Sequence, residues 1–261
     1  MTKIVATDFD GTLYKQSKIS TENIECIKKF RSGGNLFGIV TGRDYKSLKQ
    51  VLDKLEFYAY DFLILGNGAV CCNEKDEFVF ENNVDARMKW GSSTLAKQVR
   101  SRLFELDSYC GISFGKENYL FGKDYPNGGS DGVYNYHSHK LIENVSEFGR
   151  MFGRCKTNEL TAKAVKILAD EFGEVINPTQ NGISIDIPGV GINKATGIRK
   201  YAEFMKVPVD NVWTVGDNFN DIPMFDSFHS CLMNDGEKKL KKLVDFVCDN
   251  VSDYIEVVLK Y

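Results

Sequence analysis

The feature that most constrains this chain is a rhythm in its first 65 residues. Short apolar runs alternate with longer stretches whose apolar residues share one helical face. Residues 3–7, 36–40 and 60–65 read as buried strands. Between them, residues 20–31 carry Ile24, Ile27 and Phe30 at helical spacing until Gly33 and Gly34 end the run. Residues 44–55 do the same with Tyr45, Leu48, Val51, Leu52 and Leu55. Strand, helix, strand, helix, strand in this order predicts a parallel sheet with helices on both faces, an α/β fold.

The middle of the chain has another texture. Residues 92–106 form an amphipathic helix through Leu95, Val99, Leu103 and Leu106, and strand-like pieces follow at 110–114 and 119–121. A Gly-, Asp- and Asn-rich loop spans 122–132 and carries Asp124, Tyr125 and Asp131. A helix at 161–172 leads to strands at 174–177 and 182–187, the second alternating through Ile183, Ile185 and Ile187. Helices mixed with short strands predict a separate α+β unit. The end returns to the first pattern, with helices at 194–205 and 252–259 and buried strands at 212–215 and 230–233. The simplest organisation is one α/β core built from residues 1–81 and 191–261, interrupted by an α+β insert at 82–190. The linkers fall near 81–84 and 188–192, where Pro188-Gly189-Val190-Gly191 mixes stiffness with flexibility.

Charge and cysteine content exclude several classes. With 33 basic and 36 acidic residues, a net charge of −3 gives no footprint for nucleic acid or an anionic membrane. The run at 237–242 reads as a solvated helix face. No apolar stretch approaches the ~20 residues of a membrane span. Met1-Thr2-Lys3 enters the first strand without room for a signal segment. Seven cysteines, an odd number with no C-x-x-C pair, suggest neither a disulfide framework nor a zinc ribbon. They fit a reducing, cytoplasmic compartment. His137 and His139 alternate, but no third ligand lies near them in sequence, so a structural reading outweighs a metal one.

In a parallel sheet, ligands collect at the carboxyl ends of strands. The first strand ends in Asp8 and Asp10, the second in Thr41-Gly42-Arg43, and the strand at 212–215 in Gly216-Asp217-Asn218-Phe219-Asn220-Asp221. Four converging carboxylates would repel unless a cation sat among them. All candidate ligands are oxygens, which favours a hard ion, Mg²⁺ over Ca²⁺. Each acid cluster alone could be a turn, and Asp8-x-Asp10-x-Thr12 mimics an EF-hand opening. That reading fails, because Leu13 occupies the glycine position and Ile19 the glutamate position. Backbone N–H groups near Gly11 and Gly42 suit a phosphate, and Lys194 at the head of a helix is either a clamp for it or an ordinary surface lysine.

The segments DFDGTLY, VTGR, GINKATGI and GDNFND resemble, in order, the four motifs of the haloacid dehalogenase-like (HAD) hydrolases. GNGA at 66–69 and the position of the insert are similar to the Cof-type sugar-phosphatase branch. The resemblance implies a Rossmann-like parallel-sheet core with an inserted α+β cap domain that sets substrate specificity. It implies a Mg²⁺-dependent phosphatase acting on a small phosphorylated metabolite, such as a sugar phosphate, through an aspartyl-phosphate. In that scheme Asp8 is the nucleophile and Asp10 the general acid and base. Thr41 and Lys194 hold phosphoryl oxygens, with Gly11 and Gly42 lining the phosphate site. Asp217 ligates Mg²⁺ with Asp8 and the backbone carbonyl of Asp10. Asp221 is a further acid at the metal, Asn220 supports phosphate or metal, and Arg43 touches substrate. Two other functions fit the same residues: a phosphotransferase or phosphomutase, and a phospho-ligand binder without catalysis.

Overall fold

The computed structural model describes residues 1–121, 135–136 and 145–261. The loop at 122–132, with Asp124, Tyr125 and Asp131, and also His137 and His139, lie outside the described residues.

In chain order the elements begin with β1 (Ile4–Thr7), α1 (Thr21–Ser32), β2 (Leu36–Val40), α2 (Tyr45–Lys54), β3 (Phe62–Leu65), β4 (Val70–Asn73) and β5 (Phe78–Glu81). Next come β6 (Val84–Asp85), β7 (Lys89–Trp90), β8 (Ser93–Thr94), α3 (Leu95–Glu105), β9 (Tyr109–Phe114) and β10 (Glu117–Phe121). They are followed by β11 (Asn135–Tyr136), β12 (Glu147–Phe148), β13 (Arg150–Arg154), α4 (Asn158–Phe172), β14 (Thr179–Asn181) and β15 (Ser184–Pro188). The chain finishes with α5 (Lys194–Phe204), β16 (Val212–Gly216), α6 (Ile222–Ser227), β17 (His229–Met233), β18 (Phe246–Cys248) and α7 (Val251–Lys260). Two compact units result. The first comprises Met1–Thr41, Val51–Phe80 and Asn193–Tyr261; the second comprises Gly42–Gln50 and Glu81–Ile192.

The first unit is an α/β fold around an eight-stranded sheet of order β18-β17-β16-β1-β2-β3-β4-β5. All four residues of β1 are buried, as befits a central strand covered on both faces. It runs parallel to β2 on one side and β16 on the other, with Ile4 level with Leu36 and Val212. The early strands therefore build outward in one direction from β1 and the late strands in the other. This reversal makes the carboxyl ends of β1 and β16 a topological switch point, where open parallel sheets bind their ligands. The core beneath it includes Ile4, Val40, Ile64, Ile198, Val212 and Leu232. β4 turns back antiparallel to β3.

In the second unit, β9, β10, β13, β14 and β15 pair antiparallel, and β11 joins β10 in parallel to complete the sheet β11-β10-β9-β13-β15-β14. Its core gathers Val99 and Leu103 from α3, Leu168 from α4, and Ile112, Met151 and Ile185 from the sheet. Two expectations differ from what is found here. The helix expected at 161–172 begins three residues earlier, because the Thr157 hydroxyl caps it by accepting the Leu160 N–H. The strand expected at 174–177 reduces to one bridge between Ile176 and Gly189, and β14 lies further on at Thr179–Asn181. The stretch at 188–190 is tied down, since the Asn177 N–H donates to Pro188 O and the Val190 N–H to Val175 O, each at 2.8 Å.

The basic run forms a short 3₁₀ helix, Lys238–Lys242, with Leu240 buried beneath exposed lysines. Among the described residues no helix is long and apolar enough to cross a membrane.

Candidate active site

Asp8 is the first residue past β1, and its N–H still bonds Val215 O of β16 at 2.8 Å. That bond carries the ladder one residue beyond the strand and fixes where the side chain starts. Lys194 is the first residue of α5. The capping box of Asn193 and Thr196 sets that helix start. A lysine at a helix N-terminus faces an unfavourable dipole. Here two carboxylates offset it: Lys194 Nζ donates to Asp8 Oδ1 at 2.5 Å and to Asp221 Oδ1 at 2.6 Å. Lys194 and Asp221 are wholly buried and Asp8 nearly so.

Asp217, just past β16, completes the group. One carboxylate oxygen from each of Asp8, Asp217 and Asp221 lies within 4.8 Å of the others. Asp221 is also a brace, its Oδ2 accepting the N–H groups of Asp217 at 2.8 Å and Asn218 at 3.0 Å. Three acids thus surround one ammonium. Burial raises the Asp8 carboxyl well above its ordinary range; Lys194 pulls it down, and the charges of Asp221 and Asp217 push it up again. Burial, then repulsion from Asp221, likewise raises Asp217, against a hydrogen bond from Thr12. Burial works against the Lys194 charge, but Asp221 and Asp8 outweigh it and push its pKa up. Such an oxygen-only group with surplus negative charge suits a hard divalent cation, so the residues present fit Mg²⁺.

The other expected residues are placed as follows. Asp10 is exposed, its backbone bridging to Tyr14, and its carboxylate stands outside the three-acid group. Gly11 has φ +84°, and a Cβ there would stand 2.6 Å from Asp217 Oδ2, so only glycine fits the turn. Thr41 is buried at the end of β2, its N–H bonded to Ile64 O and its carbonyl accepting the Asn67 N–H, both at 2.9 Å. Asn220 is exposed in the short 3₁₀ turn Phe219–Asp221. Gly42 and Arg43 belong to the second unit, where Arg43 Nη1 donates to the Ser47 hydroxyl at 3.3 Å.

Two supports of Asp217 escaped the sequence reading. The Thr12 hydroxyl donates to Asp217 Oδ1 at 3.1 Å, and the Glu237 N–H donates to Asp217 O at 2.8 Å. Thr12 sits within the DFDGT run and could have been found there. Glu237 acts through its backbone, which leaves no side-chain signal.

With this geometry in hand, comparison with known proteins is decisive for the family. The sequence profile of the haloacid dehalogenase-like hydrolases matches residues 5–260. The chain belongs to that family. Relatives include the 5-amino-6-(5-phospho-D-ribitylamino)uracil phosphatase YitU of Bacillus subtilis (strain 168), 25% identical over 266 residues, covering 93% of this chain and 90% of the relative. The phosphatase of the same name, YbjI, from Escherichia coli (strain K12) is 25% identical over 236 residues, covering 85% and 81%. Among solved structures, a haloacid dehalogenase-like hydrolase from Bacteroides thetaiotaomicron superposes with a TM-score of 0.81 at 18% identity, over 99% of this chain and 100% of that one. A HAD subclass IIB sugar phosphatase superposes with a TM-score of 0.80 at 18% identity, over 98% of each chain. These structural likenesses establish the HAD fold. Membership makes the chain a hydrolase, and its phosphatase-named relatives put it among the phosphoric monoester hydrolases.

Proposed function

We propose that this HAD-family chain is a Mg²⁺-dependent phosphatase that hydrolyses a small phosphorylated metabolite, a sugar phosphate or a close polyol analogue, through an aspartyl-phosphate on Asp8. The observation that carries this reading is the buried group itself. A lysine with no exposure lies between Asp8 and Asp221, with Asp217 alongside. A purely structural core would gain stability by replacing such charges with apolar side chains.

Asp8 attacks the phosphorus atom, and the bond from phosphorus to the ester oxygen breaks. Asp10 gives its proton to the departing alkoxide, which leaves as an alcohol. Water then attacks the same phosphorus. Asp10 takes a proton from that water, the bond from phosphorus to the Asp8 oxygen breaks, and orthophosphate leaves. The sum is ester plus water giving alcohol plus phosphate. Asp8, Asp217 and Asp221, with the backbone carbonyl of Asp10, would hold Mg²⁺, which supplies positive charge beside the phosphoryl oxygens. Lys194 supplies a second, fixed positive charge, and the Thr41 hydroxyl, Gly11, Gly42 and Asn220 orient the phosphate. Arg43 contacts the substrate. Exposure of Asp10 fits its role, because its proton must reach the leaving group and the attacking water. The insert at 82–190 is read as a cap that selects the leaving group, and the unbridged thiols are compatible with a reducing, cytoplasmic setting.

The test is phosphate release from a panel of sugar, polyol, nucleotide and cofactor phosphates with Mg²⁺. Turnover of at least one ester is expected, with Asp8→Asn abolishing it while the circular dichroism spectrum is kept. Normal activity in Asp8→Asn excludes the covalent route.

A further inference from the structure

The proposed chemistry uses none of the seven cysteines, yet two of them meet at the edge of the first unit's sheet. Cys231 lies in β17 and Cys248 ends β18, and Cys231 Sγ donates to Cys248 Sγ at 3.1 Å. A disulfide bond spans about 2.05 Å, so these sulfurs need to close by roughly 1 Å to become bonded. The hydrogen bond to Cys248 and burial push the Cys231 thiol up, so Cys231 keeps its proton. Cys231 is also wholly buried, whereas Cys248 is half-buried and within reach of a small solute.

The register puts Cys231 level with Phe246 and Cys248 level with Met233, so the two thiols meet on a diagonal. Closing that diagonal requires the backbone to shift. Strand β18 can supply the shift, because it has three residues and pairs with β17 alone among the described strands. Its end is tied to the candidate metal site. Cys248 O accepts the Asn234 N–H at 2.8 Å, and Asn234 Nδ2 donates to Asp249 Oδ1 at 3.0 Å. Two residues on, Gly236 packs on the Asp217 backbone so closely that a Cβ there would stand 2.7 Å from Asp217 O. The Glu237 N–H then holds that same oxygen at 2.8 Å. A shift of Cys248 is therefore carried through the turn at 234–237 to Asp217.

We propose that Cys231 and Cys248 are a reversible redox pair, bridged by a peroxide and reopened by a small thiol, and that the bridge weakens the grip of Asp217 on Mg²⁺. The Mg²⁺ half of this statement rests on the phosphatase reading. Cys248 attacks one peroxide oxygen; an S–O bond forms, the O–O bond breaks, and the first water leaves with the Cys248 proton. Cys231 then attacks the sulfenic sulfur; the S–S bond forms, the S–O bond breaks, and the second water leaves with the Cys231 proton. Two thiols are oxidised and one peroxide is reduced to two waters. Transient bridges of this kind are compatible with a reducing compartment.

The experiment treats the reduced protein with a small excess of hydrogen peroxide, blocks the remaining thiols and maps the unreduced digest by mass spectrometry. One linked pair of peptides, containing Cys231 and Cys248, is expected, and dithiothreitol should abolish it. Cys248→Ser and Cys231→Ala should not form it. In parallel, Mg²⁺ is titrated against melting temperature, a readout that needs no substrate. Bridging should raise the Mg²⁺ concentration for half the effect by about 10-fold, reversibly, as expected when the support of a metal ligand is disturbed. Cys248→Ser should respond to Mg²⁺ alike before and after peroxide. Two thiols left free, or oxidation that stops at a sulfenic or sulfinic acid on Cys248, would overturn the pair. A bridge that leaves the Mg²⁺ response unchanged would overturn its link to Asp217. A reduced parent with no Mg²⁺ response would sink the metal reading instead, and the peptide map would still decide the bridge.

Discussion

At the carboxyl ends of β1 and β16 the first unit buries Asp8, Lys194 and Asp221, with Asp217 half-buried beside them. The interior of the second unit is built on Val99, Leu103, Ile112, Met151, Leu168 and Ile185, and its Arg150 pairs with Asp186 between β13 and β15. Both units bury apolar residues from a sheet and its helices, yet they treat charge differently. In the second unit the buried Arg150 pairs with Asp186 on the neighbouring strand and stands 3.9 Å from the buried Asp44. In the first, three acids crowd one ammonium, and burial holds two of those acids above their ordinary range. The contrast is the one expected between a region shaped by stability and one in which charge is kept for the proposed chemistry at a cost in stability.

Lys194→Met should break this contrast most severely. Removing the fixed cation should lower kcat/KM by about 10²–10³-fold or more, the loss expected when a preorganised donor to a developing charge is deleted. It should also destabilise the metal-free fold, because Asp8 and Asp221 lose their common partner. Steady-state kinetics and urea unfolding report the two effects separately. Activity near the parental level would show that Lys194 has only a packing role.

Leu103→Ala examines the other side. Leu103 is fully buried in the second unit, so the variant should lose about 2–5 kcal/mol of stability in denaturant unfolding. The folded enzyme should keep its kcat on p-nitrophenyl phosphate. A collapse of kcat with unchanged stability would reverse the assignment of roles.

A smaller effect is expected from pH. With Asp8 and Asp217 raised, the metal-free folded state holds protons that the unfolded chain releases above about 3.8. The folded state then binds more protons, so stability should fall as pH rises from that value through the raised folded pKa values. Asp217→Asn should flatten this slope, and it should shrink the gain in melting temperature that Mg²⁺ gives the parent enzyme. An unchanged slope and an unchanged Mg²⁺ response would remove Asp217 from the site. The smallest effect is expected at Arg102, half-exposed on α3 and paired with Glu105 and with Glu171 of α4. Arg102→Gln should leave both unfolding and turnover at parental values, since exposed pairs contribute little.

The central strands were legible because β1, β2 and β3 are buried apolar runs separated by amphipathic helices. The edges were not. β4, β5 and β18 have only three or four residues each and carry no clear alternation. The start of α4 was hidden because its signal is one hydroxyl, Thr157, rather than a periodic face. Spatial grouping also assigns residues 42–50 to the second unit, which no change of composition announces. Within the candidate site, the convergence of Asp8, Asp217 and Asp221 could be expected from acids at the ends of neighbouring parallel strands. The complete burial of Lys194 could not, because a lone lysine carries almost no positional signal. Glu237 supports Asp217 through its backbone from 20 positions further along the chain, and sequence pattern is silent about such contacts.

The most direct test of the account is to trap the covalent enzyme. The protein would be mixed with Mg²⁺ and its best phosphate ester, quenched in acid during turnover, digested and mapped by mass spectrometry. A phosphoryl group on Asp8, absent from Asp8→Asn and gone once substrate is exhausted, is the predicted result. Steady turnover in Asp8→Asn, or an adduct that forms at another residue, would contradict it.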